Sequence, residues 1–294
     1  MSRSLSVVVA TFEWPRALDV VLHALAEQRD RDFSVVVADD GSGEETAQAV
    51  ERWRGELALS HVWQENEGFL KARLLNRAAL AADGEYLLFL DGDCVPRRGL
   101  TASVRRAVLP GWFVGSKRLH LSPETTERAL SGQWPIWRWS AAEWVVRAPK
   151  ELSRWHYRER NRPGVLIPVR DRARPWNGGL DFQVPYSGYG YVFGVSREDF
   201  WRVNGFDMRF CGWDGEDLDI AERLRAAGLR CGWPGPGASV LHLWHEFRKR
   251  PASPPERALV AAPEGLRELQ LELAAQESAN RVGASSPSSD PVKR

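Results

Sequence analysis

The chain has 294 residues, of which 43% are hydrophobic and 27% are charged, and its formal net charge is +1. This composition is typical of one large folded domain or two small ones, and the near-neutral charge argues against nucleic acid as a partner. The three cysteines lie far apart, which favours a reducing compartment and no disulfide framework. Because we find neither a signal-peptide core nor an apolar run long enough to cross a bilayer, we expect a cytoplasmic protein without a transmembrane helix.

Strand and helix patterns alternate along the first 110 residues. Apolar runs predict strands over 5–10, 33–38 and 57–63, and helical spacings predict helices from Pro15, over 44–53 and over 69–82. We therefore expect an α/β fold with a Rossmann-like, mostly parallel central sheet and flanking helices. A dinucleotide-binding dehydrogenase is disfavoured, because no Gly-x-Gly-x-x-Gly motif follows the first strand.

The stretch 84–94, GEYLLFLDGDC, is an apolar strand that ends in Asp91 and Asp93. A buried strand does not tolerate unpaired charge, whereas the carboxyl end of a parallel strand borders the crevice where ligands bind. Asp39 and Asp40 end an earlier strand, so we expect all four carboxylates to share this crevice. Such carboxylates can hold Mg²⁺ or Mn²⁺, and the cation can hold a diphosphate. The alternative for an isolated Asp-x-Asp is a solvated loop with two acids.

The region from 111 to 176 is rich in tryptophan and arginine. The sequence predicts a helix over 100–108 before this region and a strand over 112–115 at its start. Within it, one helical face is predicted to contain Trp134, Trp137, Ala141, Trp144 and Val145. Ten basic and four acidic residues lie between 138 and 174. This excess fits a solvated face, a surface that docks on lipid headgroups, or a clamp for the donor diphosphate or an anionic acceptor.

A cluster of acids opens a predicted helix in the second half of the chain. A strand is predicted over 189–196, with Ser196 capping a short helix. The acids then follow at Asp214, Glu216, Asp217 and Asp219. The helix dipole favours acids in a first turn, but four exceed what capping requires, and a carboxylate held there can serve as a general base.

Two histidines lie close together near the end of the folded region, at His242 and His245. If both belong to a strand, they face opposite sides, so only one of them would meet a metal. A polar helix is predicted over about 264–277, and the tail from Ser285 is too poor in apolar residues to order itself.

The first half resembles the nucleotide-binding half of family 2 glycosyltransferases with the GT-A fold. The family's usual opening is Thr-Tyr-Asn-Arg-Pro after a strand; Thr11 and Pro15 match it, whereas the three residues between them, Phe-Glu-Trp, depart from it. The other matching segments are VVVADDGS and NEGFLKARLLNRAALAADGEYLLFLDGD. The resemblance implies that a nucleotide-sugar donor contacts the residues at these positions, namely Thr11, Asp39, Asp40, Arg73, Asp91 and Asp93.

The acid-rich helix start resembles the segment shared by β-1,4-galactosyltransferases and polypeptide GalNAc-transferases. Those families read Trp-Gly-Gly-Glu-Asp or Trp-Gly-Gly-Glu-Asn; here the segment is Trp213-Asp214-Gly215-Glu216-Asp217. The resemblance implies that Asp217 is the base of an inverting reaction and that Trp213, Asp214 and Glu216 face the acceptor. It also implies a Mn²⁺ or Mg²⁺ site on Asp93 and His245 with Asp91 nearby; His242 is the second choice.

Together the two resemblances imply an inverting, metal-dependent glycosyltransferase that uses a UDP-sugar, with UDP-galactose or UDP-GalNAc suggested by the second of them. The acceptor would be a glycan or a lipid-linked molecule, with possible membrane contact through 134–174. We divide the chain into a nucleotide-sugar-binding half (1–110), an insertion (111–176), an acceptor-binding and catalytic half (177–250) and a tail (251–294). A nucleotidyltransferase and a non-catalytic glycan-binding protein remain open as alternatives.

Overall fold

The computed structural model describes residues 4–68, 70–153, 155–156, 159–161, 192–211, 215–246 and 262–284. Within these ranges, strands and helices alternate over the first half as predicted. The strands are β1 (Leu5–Thr11), β2 (Phe33–Asp39), β3 (Leu59–Trp63), β4 (Tyr86–Asp91), β5 (Cys94–Pro96), β6 (Trp112–Gly115), β7 (Arg118–His120), β8 (Trp155–His156), β9 (Glu159–Arg160), β10 (Val192–Ser196), β11 (Arg230–Gly232) and β12 (Val240–His242). The helices are α1 (Pro15–Ala26), α2 (Glu44–Trp53), α3 (Lys71–Ala81), α4 (Leu100–Ala107), α5 (Pro123–Leu130), α6 (Ala141–Arg147), α7 (Arg197–Arg202), α8 (Glu216–Ala226) and α9 (Leu266–Ala284).

The main sheet has seven strands in the order β11-β6-β10-β4-β1-β2-β3. The strands β3, β2, β1 and β4 are parallel, and β10 is inserted antiparallel between β4 and β6. This architecture confirms the expected α/β fold with a mostly parallel sheet.

Helices cover both faces of the sheet, which explains why its central strands are continuously apolar. Val7 and Val9 face the layer of α1 and α2, whereas Val8 and Phe89 face the layer that contains α3 and α8. Because successive residues of a strand alternate between faces, the last residue of each strand points towards a defined helical layer.

A second sheet has three short strands in the order β5-β12-β7. Its register places His242 opposite Cys94 on one side and opposite His120 on the other. This sheet joins the residue after Asp93 to the distant histidine segment.

The insertion departs from the predicted helix. A 3-10 turn (Ile136–Arg138) precedes α6, and extended backbone at Trp139 and Ser140 separates the two. Trp144 is fully buried while its neighbour Val145 is 49% exposed. The prediction of one helical face over 134–145 was therefore wrong, because Ser140 and Glu143 form a capping box that starts a new helix.

The C-terminal helix α9 packs on the body of the protein. Leu266 and Leu269 are fully buried, and Arg73 of α3 binds Glu272 at 2.7 Å. Among the described residues, no helix is long and apolar enough to cross a membrane.

Candidate active site

The carboxyl ends of β2 and β4 flank the end of β1, as the parallel sheet requires. The register pairs Thr11 with Asp39 and Ala10 with Asp91. Asp39 follows the strand face that packs on α1 and α2, whereas Asp91 follows the face that packs on α3. The two aspartates therefore lie at one edge of the sheet but point into different layers.

Asp39 and Asp40 are fixed by their neighbours. Asp39 is 1% exposed; one carboxylate oxygen accepts a hydrogen bond from the Ser42 backbone N–H at 2.8 Å, and the other lies 3.0 Å from His61 Nε2. Asp40 accepts a 2.6 Å hydrogen bond from the side chain of Gln64. We call this part of the sheet edge, in which hydrogen bonds fix the carboxylates of Asp39 and Asp40, the polar wall.

Asp91 forms a charge cluster that sequence reasoning missed. The Lys71 ammonium lies 2.8 Å from Asp91 and 3.5 Å from Glu216. Burial lowers the pKa of Lys71, but the two carboxylates outweigh this effect and raise it well above its usual value. A lysine at the first position of a helix is disfavoured by the helix dipole, and this unusual placement was the available signal.

The same cluster contains the proposed base. Asp217 lines a small pocket together with Lys71, Asp91 and Glu216. Burial raises the pKa values of Asp91 and Glu216, with Lys71 opposing the shift in each case. The start of α8 presents these acids because Gly215, with φ of 124°, turns the backbone directly before Glu216.

Asp93 lies against both histidines. Its carboxylate is 3.6 Å from His242 Nε2 and 3.3 Å from His245 Nε2. The expectation that the two histidines face opposite sides was wrong, because β12 ends at His242 and the chain then turns. The Leu243 N–H donates to the Asp93 carbonyl at 2.9 Å, which holds the segment beside the aspartate.

The protonation preferences of this group suit a cation site. Burial lowers the pKa of His242 to about 3, so its imidazole is neutral at pH 7. Burial alone would raise the pKa of Asp93, but His242 and His245 outweigh it and keep the carboxylate ionised. A carboxylate and imidazole nitrogens are ligands for Mn²⁺ and similar divalent ions. The residues therefore fit a divalent metal, and the thiol of Cys94 also lies within the group, 3.3 Å from Asp93.

Steric crowding explains why residue 92, between the two aspartates, is a glycine. A Cβ at Gly92 would lie 2.6 Å from the Ala10 carbonyl oxygen, which already accepts the Gly92 N–H at 2.7 Å. This close approach bends the chain after β4 and separates the side chain of Asp91 from that of Asp93.

Other predicted site residues lie elsewhere. Thr11 is 8% exposed at the end of β1. The guanidinium of Arg73 binds Glu272, so the expected contact between Arg73 and the donor nucleotide stays a prediction. Trp213 and Asp214 lie outside the described residues.

Comparisons with known proteins agree with this architecture. The model of glycosyl transferase family 2 matches residues 6–164, and the model described as the N-terminal domain of galactosyltransferase matches residues 178–246. Validoxylamine A glucosyltransferase of Streptomyces hygroscopicus subsp. jinggangensis is 31% identical over 242 residues, which are 76% of this chain and 52% of the relative. Human β-1,4-galactosyltransferase 2 is 44% identical over 81 residues, which are 24% of this chain and 22% of that protein.

A solved structure shows the same fold. The mannosyltransferase PcManGT from Pyrobaculum calidifontis, in complex with GDP-Man and Mn²⁺, superposes with a TM-score of 0.52 at 21% identity, covering 94% of this chain and 75% of that one. The chain spans about half the length of the validoxylamine A relative. Because the family model covers more than half of the chain, the protein belongs to glycosyl transferase family 2 and has the GT-A fold.

Proposed function

We propose that the chain is an inverting, metal-dependent glycosyltransferase that moves a sugar from a nucleoside diphosphate to an acceptor hydroxyl. The main support is the pocket in which Asp91, Glu216 and Asp217 meet around Lys71. The pocket lies between the carboxyl end of β4, where the donor is expected, and the start of α8, where the acceptor is expected.

The donor would lie across the ends of β2, β1 and β4. The base and ribose would be at Thr11, Asp39 and Asp40, where carboxylates and a hydroxyl can accept hydrogen bonds from the nucleoside. The diphosphate would reach Asp91 and Asp93. The donor that we propose is a UDP-hexose, and UDP-galactose and UDP-GalNAc are the first to test. GDP-sugars are tested beside them, because the structure of PcManGT contains GDP-Man.

Asp93 would hold Mn²⁺ or Mg²⁺ with His245 and His242, and Asp91 would lie nearby. A divalent cation there would offset the charge of the departing diphosphate. Lys71 would offset part of the negative charge that Asp91 and Glu216 bring to the pocket.

Asp217 would accept the proton of the acceptor hydroxyl while that oxygen attacks the anomeric carbon from the side opposite the leaving group. This single displacement inverts the anomeric configuration. Glu216 would hold acceptor hydroxyls, together with Trp213 and Asp214 by resemblance. The acceptor would be a glycan or a lipid-linked molecule.

The first test is thermal unfolding with UDP, GDP, CDP and dTDP, each with Mn²⁺ and with EDTA. A ligand at about one hundred times its dissociation constant stabilises the folded state by about 2.7 kcal/mol. We expect a shift with one nucleotide that depends on metal. The matching nucleotide-sugar is then incubated with an acceptor panel, and the product anomer is read by NMR.

The outcomes separate the candidate functions. Release of a nucleoside diphosphate with inversion supports the proposal, whereas release of pyrophosphate would establish a nucleotidyltransferase. No shift with any nucleotide would contradict the donor site, and binding without turnover across the panel would favour a glycan-binding protein.

A further inference from the structure

The outer face of α6 exposes apolar side chains that the fold does not use. Among the described residues, the large apolar side chains with high exposure are Trp63, Val145, Val146 and Leu271. Two of them are adjacent on α6, with Val145 49% and Val146 80% exposed. They point outward because Trp144 occupies the buried side of this short helix.

Exposed basic residues lie close to this pair in the chain. Arg147 and Lys150 are exposed on and directly after α6, and exposed Arg138 precedes it. Arg98 belongs to the same surface, because it donates to the backbone carbonyl of Glu27 at 3.3 Å, and the Glu27 carboxylate binds Arg138. We call these six residues the insertion face: Arg98, Arg138, Val145, Val146, Arg147 and Lys150.

The acids near the insertion face already have partners. The Glu27 carboxylate is bound by Arg138 and by the indole N–H of Trp137. The Glu143 carboxylate accepts hydrogen bonds from the backbone and hydroxyl of Ser140. The face therefore combines four basic side chains, one of which is paired with Glu27, with a protruding apolar pair.

We infer that the insertion face docks on an anionic lipid bilayer. Basic side chains gain electrostatic energy beside anionic headgroups, and apolar side chains beside them gain by entering the boundary between headgroups and acyl chains. A soluble acidic polysaccharide would satisfy the arginines, but it offers no apolar phase for Val145 and Val146. The apolar pair thus favours a membrane over the polysaccharide.

Two members of the insertion face contact the residue directly after α1, because Arg98 donates to the Glu27 carbonyl and Arg138 binds the Glu27 carboxylate. The docking itself does not depend on the proposed reaction, because it is measured as binding.

The experiment is flotation of the full chain with vesicles of phosphatidylcholine alone and of phosphatidylcholine mixed with phosphatidylglycerol. We expect binding to the mixed vesicles only, and weaker binding as salt is added, because salt screens exposed charges. Each basic residue near the surface contributes about fivefold to partitioning, so R147Q/K150Q should bind about 25-fold more weakly. V145S/V146S should lose at least about tenfold.

The matched control is L271S, which removes an exposed apolar side chain from α9 and should bind like the wild-type chain. Melting temperatures of all variants check folding, which substitutions at exposed positions should leave intact. Absence of binding to the mixed vesicles at low salt, or equal binding by V145S/V146S and the wild-type chain, would overturn the inference. Binding to a soluble acidic polysaccharide that survives V145S/V146S, without binding to vesicles, would overturn it in favour of a glycan partner.

Discussion

The two aspartate pairs at the sheet edge have the same position in the sequence pattern and different surroundings in the structure. Asp39 and Asp40 are held by hydrogen bonds from the Ser42 backbone and the Gln64 side chain, and Asp39 also lies beside His61. Asp91 is instead paired with the Lys71 ammonium, and Asp93 lies against two imidazoles, those of His242 and His245. The first pair forms a preorganised wall, and the second pair is a charge cluster suited to a cation and to chemistry.

The largest expected effect tests whether chemistry belongs to the cluster. Positioned base catalysis contributes about 10²–10⁴-fold, so Asp217→Asn should lower kcat by that factor while donor affinity stays unchanged. The measurement is turnover combined with calorimetric donor binding. Glu222→Gln on the same helix is the control, and near-normal turnover in Asp217→Asn would remove Asp217 from the role of base.

The second prediction tests whether Asp93, and not Asp40, takes part in metal binding. Asp93→Asn should weaken metal-dependent donor binding by at least about 100-fold, since metal affinity is sensitive even to groups outside the ligand set. Asp40→Asn should keep the metal dependence. Calorimetric titration with Mn²⁺ and nucleotide measures both, and an unchanged metal titration in Asp93→Asn would place the metal elsewhere.

The third prediction compares how much the partner of Asp91 and the partner of Asp39 contribute to the free energy of unfolding. Lys71→Met would leave Asp91 and Glu216 buried without their cation, so it should cost about 3 kcal/mol of unfolding free energy. His61→Asn should cost only about 1 kcal/mol, because Asp39 keeps its hydrogen bond from the Ser42 backbone. Urea unfolding measures both variants, and equal losses would contradict the contrast between charge cluster and wall.

The smallest effect concerns a carboxylate far from both pairs. The hydrogen bond from Arg138 lowers the pKa of Glu27 from 4.5 to about 2, with Trp137 adding to it. A lowered folded-state pKa contributes stability above pH 4.5 that is lost as the pH falls towards 2. Glu27→Gln should therefore melt lower than the wild-type chain at pH 6, with a difference that shrinks by pH 3; a pH-independent difference would contradict this.

The sequence predicted correctly those features that depend on a single helix or strand. The alternating pattern predicted β1 to β4 and α1 to α3 with errors of one or two residues, because both faces of the sheet are covered and its central strands are mostly apolar. The cap at Ser196 was also correct, since its hydroxyl accepts from the Asp199 N–H at 3.0 Å.

Sequence reasoning failed where distant elements meet. The period of a strand predicted opposite faces for His242 and His245, but tertiary structure ends β12 at the first of them. The placement of Lys71 at the first position of α3 was unusual, but it did not indicate that the lysine would lie between Asp91 and Glu216, which are separated by more than 100 residues.

The sequence by itself determined the α/β class, the strand ends that carry carboxylates, and the acids at the start of α8. These depend on hydrophobic period and on helix-end chemistry, which are local. Only the tertiary structure decided which charges are neighbours, because burial makes each carboxylate depend on the cation that the fold brings beside it. The same holds for the insertion face, since burial of Trp144 leaves Val145 and Val146 outside.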